Sequence, residues 1–384
     1  MSDLKTEKQA SGGELPAGLD GPRACGKYDL AGVLDLCNLV MRILDTPPGK
    51  PAGWPTIGYG WPHVYNHGNL DNIRLIADKG EVVSSVGIYS AEVRTPRGTI
   101  SVGGINCFIT HPDYRRSGLG GMVLTDAHAK MRANGHHIGL LSTLIPDYYR
   151  KYGWEPAGRQ RTFKLDRGNI AHLPDPAELE VTEEWRPAVD QLIDLHDREP
   201  MGVSRTQQMF ELLAERKFER VFVARRGGRL VAYAGMRQTD IREYGGQPDN
   251  VAALLRAVFA EIDDASTSTS TRTRYRRPTI EMTVTTPDSV QGLPGLLLDQ
   301  GVPNTMGYMG LIVLLDAPGL LEALEIQDVE LERRDSGWRV GHGGRSLDLT
   351  EHELVKLVFG PERYPDFAPD VFPIDFYQWP ADRV

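Results

Sequence analysis

Residues 105–121, Ile-Asn-Cys-Phe-Ile-Thr-His-Pro-Asp-Tyr-Arg-Arg-Ser-Gly-Leu-Gly-Gly, constrain this chain more than any other stretch. They read as a buried apolar strand, a turn at Pro112, and a glycine-rich corner that opens a helix. The helix is predicted over 119–134, with Leu119, Val123, Ala127 and Met131 on one face and Gly135 as its stop. An Arg-x-x-Gly-x-Gly corner at a helix start gathers backbone N–H groups around one point. Small residues admit a phosphate, and the helix dipole adds positive potential. Arg115 and Arg116 add charge-assisted hydrogen bonds, so the corner suits a pyrophosphate. The spacing differs from Gly-x-Gly-x-x-Gly, and the Gly-Lys-Ser/Thr ending of a P-loop is absent.

The length of 384 residues predicts two or three domains. A net charge of -9 argues against general nucleic-acid binding and suits a cationic small substrate. Cys25, Cys37 and Cys107 have neither metal-site nor disulfide spacing, and Cys107 reads as a small core residue. Residues 1–26 are rich in Gly, Pro, Ser and charge and are predicted to be disordered. They hold no signal-peptide core, and no apolar run is long enough to span a bilayer, so a cytoplasmic location is expected.

Along the chain, a helix is predicted over 30–44 and a Pro-Gly-Trp loop over 51–63. Trp54, Tyr59 and Trp61 of that loop suit either a pocket lining or interdomain packing. Residues 72–77, 81–89, 90–94 and 99–102 read as strands around two hairpin turns, and 138–145 as a strand after the helix. His136 and His137 sit where they favour a helix C-terminus. A second pattern follows residue 166: helices near 186–196 and 205–216, a hairpin over 221–237, a helix over 250–262, and strands over 280–285 and 310–315. This order echoes the first pattern, but Tyr244-Gly245-Gly246-Gln247-Pro248 replaces the arginine-bearing corner. Residues 266–273, rich in Ser and Thr, read as a mobile hairpin tip. From about Pro318 come a helix over 320–324, strands over 329–333 and 338–340, and a helix opened by a Thr350/Glu353 capping box. The aromatic run 372–384 is expected to dock.

Strand, His111-Pro112, Arg115-x-x-Gly118-x-Gly120 and helix, followed by Tyr148-Tyr149-Arg150-Lys151-Tyr152-Gly153-Trp154, resemble the GCN5-related N-acetyltransferases (GNAT). The whole order further resembles the Eis (enhanced intracellular survival) acetyltransferases. The fold this implies is α+β / α/β. Residues 27–165 would form a catalytic GNAT domain, 166–315 a degenerate second copy, and 316–384 a small sterol-carrier-like domain with a docked tail. The resemblance implies acetyl-CoA as co-substrate, no metal, and a primary amine acceptor: an aminoglycoside, a polyamine or a lysine. It also implies a homo-oligomer, with a hexamer as the form suggested.

Carried over by position, Phe108, Ile109 and Thr110 offer strand backbone to the pantetheine arm. Arg115 stands at the first arginine position of the motif, and Arg116, Ser117, Gly118, Leu119, Gly120 and Gly121 cradle the pyrophosphate. Tyr149 matches the proton-donating tyrosine, with Tyr148 or Tyr152 in its place if the register slips by a turn. The α-carboxylate of Val384 matches a terminal carboxylate that accepts the amine's proton. A thioester donor needs no protein nucleophile, which agrees with the lack of a Ser-His-Asp or reactive-Cys pattern. The competing class is a non-catalytic coenzyme-A sensor or carrier of apolar ligands.

Overall fold

The computed structural model describes residues 15–41, 57–269, 280–362, 364 and 367–383. The first strand, β1 (Leu19–Ala24), lies where composition predicts disorder through residue 26. It pairs antiparallel with β2 (Ile73–Asp78), and the register shifts between Asp20 and Arg23. Pro22 falls in that irregularity on an outer strand, where its missing N–H disrupts nothing. Arg23 fixes the segment by ion pairs of 2.6 Å to both Asp20 and Asp29. Residues 1–14 lie outside the described residues.

Next come α1 (Asp29–Met41), a short α2 (Ile57–Gly60), β2, and the long hairpin β3 (Glu81–Arg94) and β4 (Thr99–Thr110). The predicted strand pieces 81–89 and 90–94 are one strand. Helix α3 (Leu119–Ala133) crosses over to β5 (Ile138–Leu141), which runs parallel to β4. The chain leaves the sheet at residue 142, earlier than the predicted 145. It exposes Leu144 completely and Ile145 by 62 %, then turns into α4 (Pro146–Arg150) and β6 (Glu155–Leu165). His136 does not serve a helix end. It is buried, and its ring nitrogens meet the hydroxyls of Ser90 (3.0 Å) and Ser101 (3.1 Å) on β3 and β4.

The second half repeats this order. It runs β7 (Glu180–Thr182), α5 (Val189–Asp197), β8 (Gly202–Val203), α6 (Gln207–Lys217), then the meander β9 (Arg220–Arg226), β10 (Arg229–Arg237) and β11 (Asp240–Gly246). Helix α7 (Pro248–Thr269) crosses to β12 (Met282–Pro287), parallel to β11, and α8 (Gly292–Asp299) leads to β13 (Asn304–Leu314). Because α7 runs to Thr269, residues 266–269 are helical rather than a hairpin tip; 270–279 lie outside the described residues.

The two halves exchange their last strands. β13 pairs with β5 of the first half, from Leu311↔Leu141 to Leu314↔Ile138. β6 pairs with β12 of the second half, from Met282↔Leu165 to Pro287↔Gln160. The exchanged strands pair with each other, and the result is one sheet in the order β1-β2-β3-β4-β5-β13-β6-β12-β11-β10-β9-β7.

The last part holds α9 (Ala317–Ala323), an antiparallel sheet of β14 (Val329–Arg334), β15 (Gly337–His342) and β16 (Arg345–Leu349), and α10 (Glu351–Phe359). Thr350 and Glu353 form the expected capping box. The aromatic tail is docked: Phe372, Ile374, Phe376, Tyr377 and Trp379 are buried, and Trp379 Nε1 donates to the Met201 carbonyl at 3.1 Å. Its charged anchor is Asp382, which shares the buried Arg205 guanidinium with Glu243 through four hydrogen bonds of 2.6–2.8 Å. Tyr233 donates to Glu243 at 2.9 Å and completes the group.

Two outcomes test this architecture. Residues 15–165 expressed alone lack β13 and β12 and leave both β5 and β6 with an open edge. They should aggregate or bind a hydrophobic dye, whereas a soluble monomer with a cooperative melt would contradict the exchange. Arg205→Met strands two carboxylates in the interior and should lower unfolding free energy by about 3–5 kcal/mol in urea titration.

Candidate active site

The cleft begins where two parallel strands part. β4 and β5 pair only over Val102↔Ile138, Gly103↔Gly139 and Gly104↔Leu140. Beyond Gly104, β4 continues to Thr110 without that partner. Its register to β3 also shifts between Ser85 and Gly87, and Cys107 takes a positive φ of 42° there. A bulge of this kind turns the strand away from its neighbour. The resulting cavity has a volume of about 760 Å³. Phe108, Ile109 and Thr110 line it from β4; Arg115, Arg116 and Gly118 to Gly121 from the corner; Tyr148, Tyr149 and Tyr152 from the opposite wall.

The corner turns through positive φ values at Arg116 (65°) and Gly118 (88°). Gly118 caps α3 without a side-chain hydrogen bond, so the first-turn N–H groups lack a capping side chain. That is the arrangement an anion satisfies. Arg115 and Arg116 are exposed beside it, Arg115 Nε lying 3.5 Å from the Thr110 carbonyl. Ser117 donates its hydroxyl to the Tyr114 carbonyl, which tightens the turn. Leu119 is buried and roots the helix in the core. Gly120 and Gly121 are required by packing. A Cβ on Gly121 would sit 2.3 Å from the Tyr152 hydroxyl, and one on Gly120 would sit 3.0 Å from that of Tyr148.

These contacts separate the three tyrosines. Tyr148 and Tyr152 reach toward the glycine corner, while Tyr149 is buried, with its ring 5.8 Å from Phe108 and 6.3 Å from Trp154. Burial pushes the Tyr149 hydroxyl up to about 12, with a hydrogen bond from Thr143 opposing it. Trp154 is itself fixed to α3, since its Nε1 donates to His128 Nε2 at 2.9 Å. Burial lowers His128 to about 4, so it is neutral and able to accept.

The second half has the same strand parting without the corner. β11 and β12 pair only over Asp240↔Thr283 and Ile241↔Val284, and a cavity of 560 Å³ opens beyond, lined in part by Tyr244 and Glu199. Yet β11 ends at Gly246 and α7 begins at Pro248, where the first half spends residues 111–118 on its turn. No loop remains to carry arginines. Glu199 accepts a hydrogen bond from Gly246 N at 3.3 Å, and burial raises its carboxyl to about 7.

The structure gathers every predicted cofactor-binding residue and Tyr149 around one cleft or its corner. Val384 lies outside the described residues. The chain before it is held: Arg383 Nη1 donates to Gln160 (2.7 Å) and to the Met309 carbonyl (3.3 Å), on the two exchanged strands. Sequence reading missed Arg205, Glu243 and Asp382, which no spacing connects, and also Lys217 and His63. Tyr59 and Trp61 both meet the second half, with Arg216 stacked 3.3 Å over the Tyr59 ring and Lys217 4.2 Å over Trp61; Trp54 lies outside the described residues. Asp328, His342 and Asp370 bring ligand-type atoms within 4.8 Å of one another in the last part, but both acids are exposed and the group reads as a surface ion-pair cluster. Among the described residues, no helix is long and apolar enough to cross a membrane.

No curated protein matches the chain in sequence. In fold it is similar to a probable N-acyltransferase of Enterococcus faecalis (13 % identity, TM-score 0.59, covering 81 % of this chain and 76 % of that one). It is also similar to a GCN5-related N-acetyltransferase of Kribbella flavida (15 %, 0.56, 85 % and 83 %). A third likeness is to Eis1 of Mycobacterium abscessus (12 %, 0.56, 90 % and 90 %). Residues 22–157, which hold the cleft, its corner and Tyr149, match the acetyltransferase (GNAT) domain family, and the chain carries an acetyltransferase domain there.

Proposed function

We propose that the protein moves an acetyl group from acetyl-CoA to a primary amine by direct attack, in the manner of an Eis-like acetyltransferase. The observation that carries this reading is the convergence of the Arg115–Gly121 corner and the buried Tyr149 on one cleft. The corner and the two arginines would hold the pyrophosphate, and the unpaired edge of β4 from Phe108 to Thr110 would offer backbone to the pantetheine arm.

Three events are needed: the amine loses its proton, the carbonyl is polarised, and the departing thiolate is protonated. A hydroxyl held near 12 keeps its proton at neutral pH and can give a hydrogen bond to the developing thiolate. In this reading the α-carboxylate of Val384 accepts the amine's proton, directly or through water. The fixed chain from Gln378 to Arg383 supports that role. A carboxylate is a weak base, so the rate effect rests on positioning. In the same reading residues 316–384 are a sterol-carrier-like unit whose part here is to present the tail. Their three-stranded sheet borders a cavity lined by Asp328, Glu330 and Arg339, a polar surface that suits no sterol.

Tyr149→Phe should lower kcat by about 10²–10⁴-fold in a thiol-release assay while the acetyl-CoA KM stays within a few-fold; an unchanged kcat would reassign the donor. Extending the chain beyond Val384 by a few residues should abolish turnover and leave coenzyme-A binding by calorimetry intact. Full turnover by the extended protein would remove the carboxylate from the mechanism.

A further inference from the structure

Cys107 sits at the bulge of β4, one residue before Phe108 of the cofactor cleft. The two side chains join different cores: Phe108 packs with α3, whereas Cys107 packs with the core that contains α1. Cys107 itself does not line the cofactor cleft, although Phe108, Ile109 and Thr110 do, so its surroundings lie across the strand from the Phe108 ring, on the side left open to an incoming amine.

Lys217 acts electrostatically on both Cys107 and His63 and stands over Trp61, which places a group of buried donors without partners beside the bulge. Lys217, at the end of α6, is 8 % exposed and has neither a hydrogen bond nor an ion pair among the described residues. Its ammonium stands over the Trp61 ring at 4.2 Å. Trp61 Nε1 and His63 Nδ1 are buried and likewise unpartnered among the described residues, as are Ser85 Oγ and Asn106 Oδ1 at the bulge itself, where an amide oxygen suits the amine end of an acceptor. Buried polar groups in folded proteins are almost always satisfied, so a local group of orphans points to a ligand.

The chemistry of Lys217, Trp61 and His63 is one-sided. An ammonium and an indole N–H only donate. His63 is pushed down to about 4 by burial and then by the Lys217 charge, so it is neutral, and in the tautomer protonated at Nδ1 it adds a third N–H. Arg237 and Arg242 add positive potential at Lys217; of the acids, Asp382 acts on it most and is already committed to Arg205. Burial brings Lys217 to about 8, which leaves it mainly charged at neutral pH. Such a set complements an anion and repels a polycation. The overall charge of -9, which suits a cationic substrate, is thus reversed locally.

We propose that Lys217, with Trp61 and His63, forms a carboxylate-recognition site for the acceptor, so that the amine acetylated is one that also carries a carboxylate: an amino acid or a short peptide. This rests on the acetyl-transfer reading above and narrows its substrate class.

The test uses the full chain with acetyl-CoA and matched amines: L-alanine and L-alaninamide, glycylglycine and its amide, and spermidine as a polycation. Wild type should favour each carboxylate over its amide by about 10- to 100-fold in kcat/KM, the range of one charge-assisted hydrogen bond. Lys217→Met, which keeps the apolar stem on Trp61, should bring that ratio close to one, and Lys217→Arg should keep most of it. Comparing ratios between variants cancels the basicity of the amines themselves. Calorimetric titration of the same amines in the presence of coenzyme A reads binding separately. Turnover with amides or spermidine equal to or better than the carboxylates would overturn this proposal and leave acetyl transfer standing. Carboxylate binding that depends on Lys217, without turnover of any amine, would uphold the site and refute the transfer reading. A ratio that survives Lys217→Met, or no binding and no turnover at all, would overturn the proposal.

Discussion

Strand exchange ties the two halves of this molecule into one sheet. Neither β5 nor β12 has its own half's last strand beside it; each is completed by the other's. The central ladder is β13 on β6, so a hydrogen-bonded sheet crosses the point where two domains would otherwise meet. A flexible interdomain surface is replaced by backbone pairing, and the relative placement of the halves becomes part of the fold. The cofactor cleft inherits this rigidity, because β13 fixes β5 and so fixes the strand from which β4 departs.

The same exchange explains where the tail goes. Arg383 meets both exchanged strands, through Gln160 on β6 and the Met309 carbonyl on β13. Asp382 is locked to Arg205 of the second half. Burial alone would penalise these charges heavily, and the pairing geometry offsets that cost only because all four hydrogen bonds form. Removing any one partner leaves a charge in the interior. The network therefore gives the tail a single position more than it gives the fold stability.

The cleft and its corner were legible from the sequence because their chemistry is local. Arg115 to Gly121 occupy one turn, and Tyr149 to Trp154 one short helix and its exit. Spacing along the chain is then spacing in space. The tyrosine register was not settled that way. Tyr148, Tyr149 and Tyr152 all reach the cleft, and only packing against Gly120, Gly121 and Phe108 distinguishes them. The edge strand β1 was hidden for a different reason: its Gly and Pro content reads as a tail, whereas an irregular outer strand tolerates both.

Most of the helices and hairpins, the echo of the first pattern in the second, and the loss of the arginine corner in the second copy could be read from the residues, whereas β1, β6 and β11 could not. Those that could be read follow from periodicity and from residues within a turn of one another. Folding in three dimensions fixed which strand lies beside which, that Glu243 and Asp382 share Arg205, and that Lys217 stands over Trp61. Glu243 and Asp382 lie 38 and 177 positions from Arg205, and Lys217 lies 156 positions from Trp61. No local preference encodes contacts of that range; they exist because the sheet, once closed by its exchanged strands, brings those elements together.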